Sequence, residues 1–356
     1  MGTGPYRVRS WDPSNLAVLG ANPDYVLGRP KIDEIEVRFI LDGNTLTASV
    51  LAGAIDLTTN LGSVDRAITV RDGWRDGQVV FQFDQGGGPW LHPQFVNPRP
   101  GVIAELPFRR ALLHAIDRQG MADTLGGGIA PVAHSYLNPG QTQYREIEAQ
   151  LPRYEYDPRR AASLIESLGY TRGADGAFRD QTGQRLQVEI VSAPVDSAAN
   201  AAAAIADSWQ RVGIGASTVR QTPARAQDPE AEFAFPGFFI NGQPKDVAGL
   251  LSLHSSRARL PENNFQAPGA NWSRYMTAEL DGLIDAYFRT IPVPERISVL
   301  GRIIRHVAEQ LPVMGTYYSG TPDAFANRLV NVSTRWAGAA AGTNPAWNAH
   351  EWDLRS

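Results

Sequence analysis

Polar and apolar positions roughly alternate from Tyr6 to Val18 around the turn Asp12-Pro-Ser-Asn15, which predicts a β-hairpin. Ile35, Val37, Phe39 and Leu41 then recur at period two with Glu36, Arg38 and Ile40 between them, the pattern of a strand with one buried face. Asn44 or Thr45 is placed to cap a short helix through Leu51, closed by Gly53. Between Asp72 and Pro100 the chain is dense in Gly and Pro, with Gly86-Gly-Gly-Pro89 and Asn97-Pro-Arg-Pro100 bracketing the apolar Trp90 to Val96. Such punctuation marks a change of domain or a crossing strand.

Helical periods dominate afterwards. Pro107 suits the first turn of a helix whose Phe108, Ala111, Leu112, Ala115 and Ile116 share a face, and the helix is expected to run until Gly126-Gly-Gly128. Asp157-Pro158 opens another, with the stripe Ala161, Leu164, Ile165 and Leu168 and a stop at Gly169. Leu186, Val188 and Ile190 alternate as a strand. A helix with Ile205, Trp209 and Val212 follows and ends at Gly213, and a second strand runs through Val219. Strand, helix and strand at this spacing predict a crossover unit and a mostly parallel sheet. Leu280, Leu283, Ile284 and Tyr287 mark one further helix, and Ile297, Leu300, Ile304, Val307 and Leu311 another that Pro312 closes. Val313 to Tyr318 reads as a return strand, and Phe325 to Ser356 carries little periodicity.

With 356 residues the chain has room for two hydrophobic cores, and 43% hydrophobic against 20% charged residues is a globular composition. The net charge of -4 is not gathered in one block, which leaves no electrostatic footprint for nucleic acid. Without cysteine there is no disulfide, thiolate metal site or cysteine nucleophile. The first thirty residues lack a basic segment followed by an apolar run, and no stretch approaches a membrane-spanning length.

Six histidines stand at 92, 114, 134, 254, 306 and 350 without zinc-ligand spacing, and no Gly-x-Ser-x-Gly elbow or phosphate loop is present. Asp281 and Asp285 share a helical face, an arrangement expected to meet solvent rather than to act as an acid/base pair. No cofactor or metal is expected. Aromatic residues are more suggestive. Phe233 and Phe235 are expected in a core strand, whereas Phe238 and Phe239, with Trp272 and Tyr275 further on, suit the rigid walls of a small-ligand site.

The segments Gly2-Thr-Gly-Pro-Tyr6, Asn22-Pro-Asp-Tyr25, Phe108-Arg-Arg-Ala-Leu-Leu-His-Ala-Ile-Asp-Arg118, Tyr156-Asp-Pro158 and Asn271-Trp-Ser-Arg-Tyr275, in this order, resemble the extracellular solute-binding proteins of family 5. The resemblance covers nearly the whole chain. It implies an α/β fold of the type II periplasmic-binding-protein kind, with one complete lobe, part of a second, and two strands crossing between them. The expected division is 1–89 in a partial lobe I, 90–321 in lobe II, and 322–356 returning to lobe I. It further implies a non-catalytic, monomeric, periplasmic or lipid-anchored receptor that captures a peptide-like or other small polar solute between its lobes for ABC permease subunits. On this reading the chain is the C-terminal portion of such a protein, without its signal peptide. The implied ligand-binding residues are Phe95 and Asn97 on the first crossing, Tyr136 on a loop, Phe238, Phe239, Asn241, Trp272 and Tyr275. Peptide-binding members carry an Asp for the ligand's ammonium group where this chain has Asn241, with Asp246 as the other candidate anchor. That departure points to a neutral or anionic solute. Two other readings stay open: a ligand-sensing domain of a transcriptional regulator, since the same lobes occur behind DNA-binding domains, and a hydrolase built on a Ser/His or carboxylate pair.

Overall fold

The computed structural model describes residues 3–83, 87–141, 143–242, 247–333 and 345–355. The chain forms two compact units, one of Met1–Asp84 with Gly320–Ser356 and the other of Gln85–Ser319, so it passes from one to the other twice.

The first unit opens with the predicted hairpin, β1 (Tyr6–Asp12) and β2 (Leu16–Ala21), to which β3 (Glu34–Arg38) adds an antiparallel third strand. Helix α1 (Gly43–Leu51) is capped by Asp42, two or three residues earlier than Asn44 or Thr45 would place it, because the Asp42 carboxylate accepts from the Thr45 N–H at 2.7 Å. Strand β4 (Leu57–Thr58), helix α2 (Val64–Gly73) and β5 (Gly77–Gln82) follow. Val50, Leu61, Ala67, Val70 and Trp74 make the core here, closed by Ala324 and Ala326 from the far end of the chain.

In the second unit β6 (Trp90–Pro93) is followed by α3 (Leu106–His114) and α4 (Arg118–Leu125). The single helix expected from Pro107 to Gly126 is thus two. Asp117 turns its carboxylate onto the Gly120 N–H and starts a new helix, a local cap overriding a continuous apolar stripe. Helix α5 (Tyr144–Ile147), the Asp157-capped α6 (Pro158–Ser167), the small pair β7 (Thr171–Arg172) and β8 (Phe178–Arg179), β9 (Gln187–Ser192), α7 (Asp196–Val212) and β10 (Gly215–Arg220) come next. Gly213 ends α7 at φ 100, a conformation glycine tolerates. Then come α8 (Pro229–Phe233), β11 (Phe238–Asn241), α9 (Ala278–Arg289), α10 (Val293–Gln310) and β12 (Met314–Gly315).

The central sheet has the order β10-β9-β11-β6-β12. β10, β9 and β11 are parallel as the crossover predicts, whereas β6 is antiparallel to both β11 and β12 and is the one reversed strand of the five. Helix α7 lies on β9, β10 and β11, and Trp209 from it meets Phe238 at 5.2 Å while donating its indole N–H to the Leu112 carbonyl. The chain then returns to the first unit as β13 (Thr321–Ala326), between β4 and β5, and as β14 (Leu329–Val330), paired with β15 (Asp353–Leu354).

Three guanidinium groups are buried in the second unit and held by neutral acceptors. Arg109 donates to the carbonyls of Ile103, Ala104 and Gln310, Arg118 to those of Ala133, Gly315 and Tyr154, and Arg274 to the Gln94 side-chain oxygen. Burial pulls Arg109 and Arg118 down to about 10, which still leaves both charged at neutral pH. Arg118 also lies 3.4 Å from the His134 imidazole, and burial together with that cation lowers His134 to about 4. The unfolded chain therefore binds the proton more readily. The contribution of His134 to stability is full above about pH 6.5 and is lost as pH falls toward 4. Melting temperature measured from pH 7 to 4 is expected to fall less steeply in His134→Gln than in the unaltered chain.

Candidate functional site

The motif Asn271-Trp-Ser-Arg-Tyr275 shows how local chemistry places functional side chains. Asn271 is buried and its amide donates to the carbonyls of Leu253, His254 and Tyr275. The Ser273 hydroxyl binds the Pro312 carbonyl, and Arg274, at φ 53, reaches Gln94. These three side chains pin the loop from inside, and the residues between and beside them, Trp272 and Tyr275, remain partly exposed.

Trp272 stacks on two rings, Phe239 at 4.4 Å and 4° between planes and Phe233 at 4.3 Å and 17°. Phe233 ends the short helix α8 instead of lying in a strand, because Asp228 caps a turn that Pro229 begins. Arg259 covers its ring at 4.6 Å and stands 3.8 Å from Glu232, whose carboxyl is raised by burial against the pull of that arginine. Val191, Phe235 and Phe239 form the buried base of this cluster, with Ala193, Val219 and Trp272 against it.

In the β11–β6 ladder Phe239 lies opposite His92 and Asn241 opposite Trp90, so these four residues share a face at the C-terminal end of β11. His92 Nε2 is 3.3 Å from Asn241 Oδ1, and both residues are buried. Trp90 in turn stands 6.2 Å from the Tyr136 ring, whose hydroxyl donates to the Gly249 carbonyl. Tyr136 also borders a cavity of about 20 Å³ with Arg118, His134 and Ser135, room for one water at most.

Of the eight residues expected at the site, Phe239, Asn241 and Trp272 are brought together, and Tyr136 is connected to them through Trp90. Phe95 and Tyr275 form a separate pair at 4.9 Å, with Arg109 over Phe95 and the Tyr275 hydroxyl 3.1 Å from His306. Asn97 is exposed in a left-handed turn. Phe238 points the other way from Phe239 and is fully buried beneath α7. Asp246 lies outside the described residues.

Two residues that organise this region escape a local reading. Gln94, fully buried, donates its amide to the Phe233 and Phe235 carbonyls while its oxygen accepts from the Val96 N–H and from Arg274. It therefore fixes both segments that carry the stacked rings. His92 is the other. A polar side chain within the apolar run from Trp90 to Val96 is the signal that marks both.

Asp281 and Asp285 do not simply face solvent. Asp281 accepts from the Ser255 N–H, and His254 lies 3.9 Å from Asp281 and 3.6 Å from Asp285. The Ser256 hydroxyl is 2.8 Å from His254 Nδ1, but the Ser256 N–H shares that same nitrogen at 3.0 Å. This is a cap on the turn Ser255–Arg257, built within one stretch of chain. Among the described residues no group of three or more His, Asp or Glu is placed to hold a metal ion, and no helix is long and apolar enough to cross a membrane.

A parallel-stranded α/β unit with aromatic walls and a few fixed polar groups at its strand ends is the build of a small-solute binder. Residues 1–258 match the bacterial extracellular solute-binding proteins, family 5 Middle, and the chain belongs to that family. It is 29% identical over 172 residues to a Brucella ovis protein named as an ABC transporter peptide-binding protein, an alignment covering 48% of this chain and 31% of that one. It is 21% identical over 335 residues to the oligopeptide-binding protein AppA of Bacillus subtilis, covering 92% of this chain and 58% of AppA. The chain thus spans less than two thirds of the curated relatives it matches. Among solved structures, NikZ from Campylobacter jejuni in complex with Ni(L-His) superposes with a TM-score of 0.74 at 21% identity over 99% of this chain and 68% of that one. HbpA2 from Haemophilus parasuis gives 0.77 at 19% identity over 100% and 64%. The fold is therefore the α/β, type II periplasmic-binding-protein fold that the sequence suggests.

Proposed function

We propose that the chain serves as a solute receptor for an ABC importer, binding a peptide-like or other small polar solute without chemical turnover. In this reading Gln85–Ser319 is the receptor's lobe II, and Met1–Asp84 with Gly320–Ser356 belongs to lobe I. Its partners are the permease subunits of the importer, and its place is the periplasm or the outer cell surface. The observation that carries the proposal is the stack of Trp272 on Phe233 and Phe239 beside the His92–Asn241 pair, at the strand ends where open α/β sheets hold ligands.

Asn241 narrows the solute. Where peptide-binding relatives of this family place a carboxylate, this chain offers an amide, which cannot neutralise an ammonium group. Leaving one member of a desolvated charge pair alone costs about 2 to 5 kcal/mol. The solute proposed is therefore neutral or anionic: a blocked peptide, an oligosaccharide or an opine-like acid. In calorimetric titration the chain is expected to bind N-acetyl-trialanine more tightly than trialanine, and Asn241→Asp to reverse that order. Tight binding of trialanine by the unaltered chain would overturn the assignment of Asn241.

A further inference from the structure

The end of β10 carries a polar side chain that the fold leaves unanswered. Gln221 is the residue after β10. Its N–H continues the ladder by donating to the Ser192 carbonyl at 3.0 Å, which sets it beside Ala193 at the C-terminal end of β9. The side chain is only 4% exposed, yet neither its amide nitrogen nor its amide oxygen has a hydrogen-bond partner among the described residues. By strand alternation it shares a face with Val219, and Val219 and Ala193 both pack on the cluster that holds Phe239 and Trp272.

A buried amide without partners is an energetic cost that folding does not require at this position, since an aliphatic side chain would fill the same space. We infer that Gln221 is a solute-anchoring residue, its amide reserved for an uncharged group of the bound molecule that both donates and accepts, such as a peptide amide or a sugar hydroxyl. The chemistry of the surroundings selects that class. Val191, Phe235, Phe239 and Trp272 are apolar, and an uncharged group costs less to desolvate against them than an ion does. The aromatic stack supplies the contact area, and Gln221 gives it direction and hydrogen-bonding selectivity. Gln221 is not among the side chains that the sequence marks, because a single Gln before Thr222-Pro223 reads as the start of a loop.

This inference rests on the receptor reading above, and its test separates the two. Melting temperature and calorimetric affinity for N-acetyl-trialanine and for cellobiose are compared in the unaltered chain, Gln221→Leu, Gln221→Met and Gln141→Leu. Gln141 is a second buried glutamine whose amide lacks partners among the described residues, and its N–H closes the turn at Asn138, a segment that precedes α5. The expected result is a raised melting temperature in all three variants, at least a tenfold loss of affinity in both Gln221 variants, and unchanged affinity in Gln141→Leu. Equal affinity in the Gln221 variants and the unaltered chain would overturn the anchor role alone. So would a lowered melting temperature at Gln221, which would mean that the amide already has a partner. Binding of neither probe by the unaltered chain would overturn the receptor reading for these solute classes and the anchor with it.

Discussion

Replacing Gln94 by leucine is expected to destabilise the second unit by about 4 kcal/mol, read as a lower urea midpoint with an unchanged slope. The leucine fits the volume but strands four groups at once: the carbonyls of Phe233 and Phe235, the Val96 N–H and the Arg274 guanidinium. Each buried group left without a partner costs about 1 to 3 kcal/mol, and a cation stands at the upper end of that range. Because the same amide anchors the segments bearing Phe233 and Trp272, solute affinity is expected to fall with stability. Gln94→Glu is expected to restore the acceptor for Arg274 and not the donors for the two carbonyls, and so to recover part of the loss. A midpoint within experimental error of the unaltered chain for Gln94→Leu would show that the network carries no net energy.

Phe238→Ala is expected to cost about 3 to 5 kcal/mol, the range for deleting a fully buried aromatic ring. Phe238 is enclosed between β11 and α7, with Trp209 at 5.2 Å, and the Trp209 indole is itself tied to the Leu112 carbonyl, which limits how far the surroundings relax into the space. Its neighbour Phe239 lies on the other side of the sheet against Trp272. The expected outcome is a loss of melting temperature with solute affinity retained at temperatures where the variant is folded. Loss of affinity in a fully folded Phe238→Ala would instead place this ring in the binding face.

How much of this was visible in the chain follows from the reach of each interaction. Helices bounded by their own caps were legible: Asp157-Pro158 with α6, Gly213 after α7, and the apolar stripes of α9 and α10 are read within one or two turns. The break between α3 and α4 does not show in the periodicity, because Asp117 competes locally with a stripe that continues through it. The parallel set β9, β10 and β11 follows from the crossover unit, but the reversal of β6 depends on partners far along the chain, Phe238 to Asn241 and Met314 to Gly315. The site divides in the same way. Phe238 and Phe239 are both expected at the site, whereas β11 turns them to opposite sides of the sheet, and the Asn271 to Tyr275 motif draws attention to Trp272. Gln94 meets Phe233, Phe235 and Arg274 across 139 to 180 residues, and no local period carries that information. Phe233 reads as a strand residue because it alternates with Phe235, whereas Asp228-Pro229 make it the end of a helix.

The way Arg109, Arg118 and Arg274 are held decides how the fold responds to a change of medium. Apart from the His134 imidazole beside Arg118, their partners are peptide carbonyls and one amide oxygen, groups that have no proton to gain in mild acid and no counter-ion to exchange with dissolved electrolyte. Acidity and brine therefore act mainly on the outer ion pairs and on His134, while the inner cations keep the same ligands throughout, and the frame under the aromatic stack is insulated from swings in external medium.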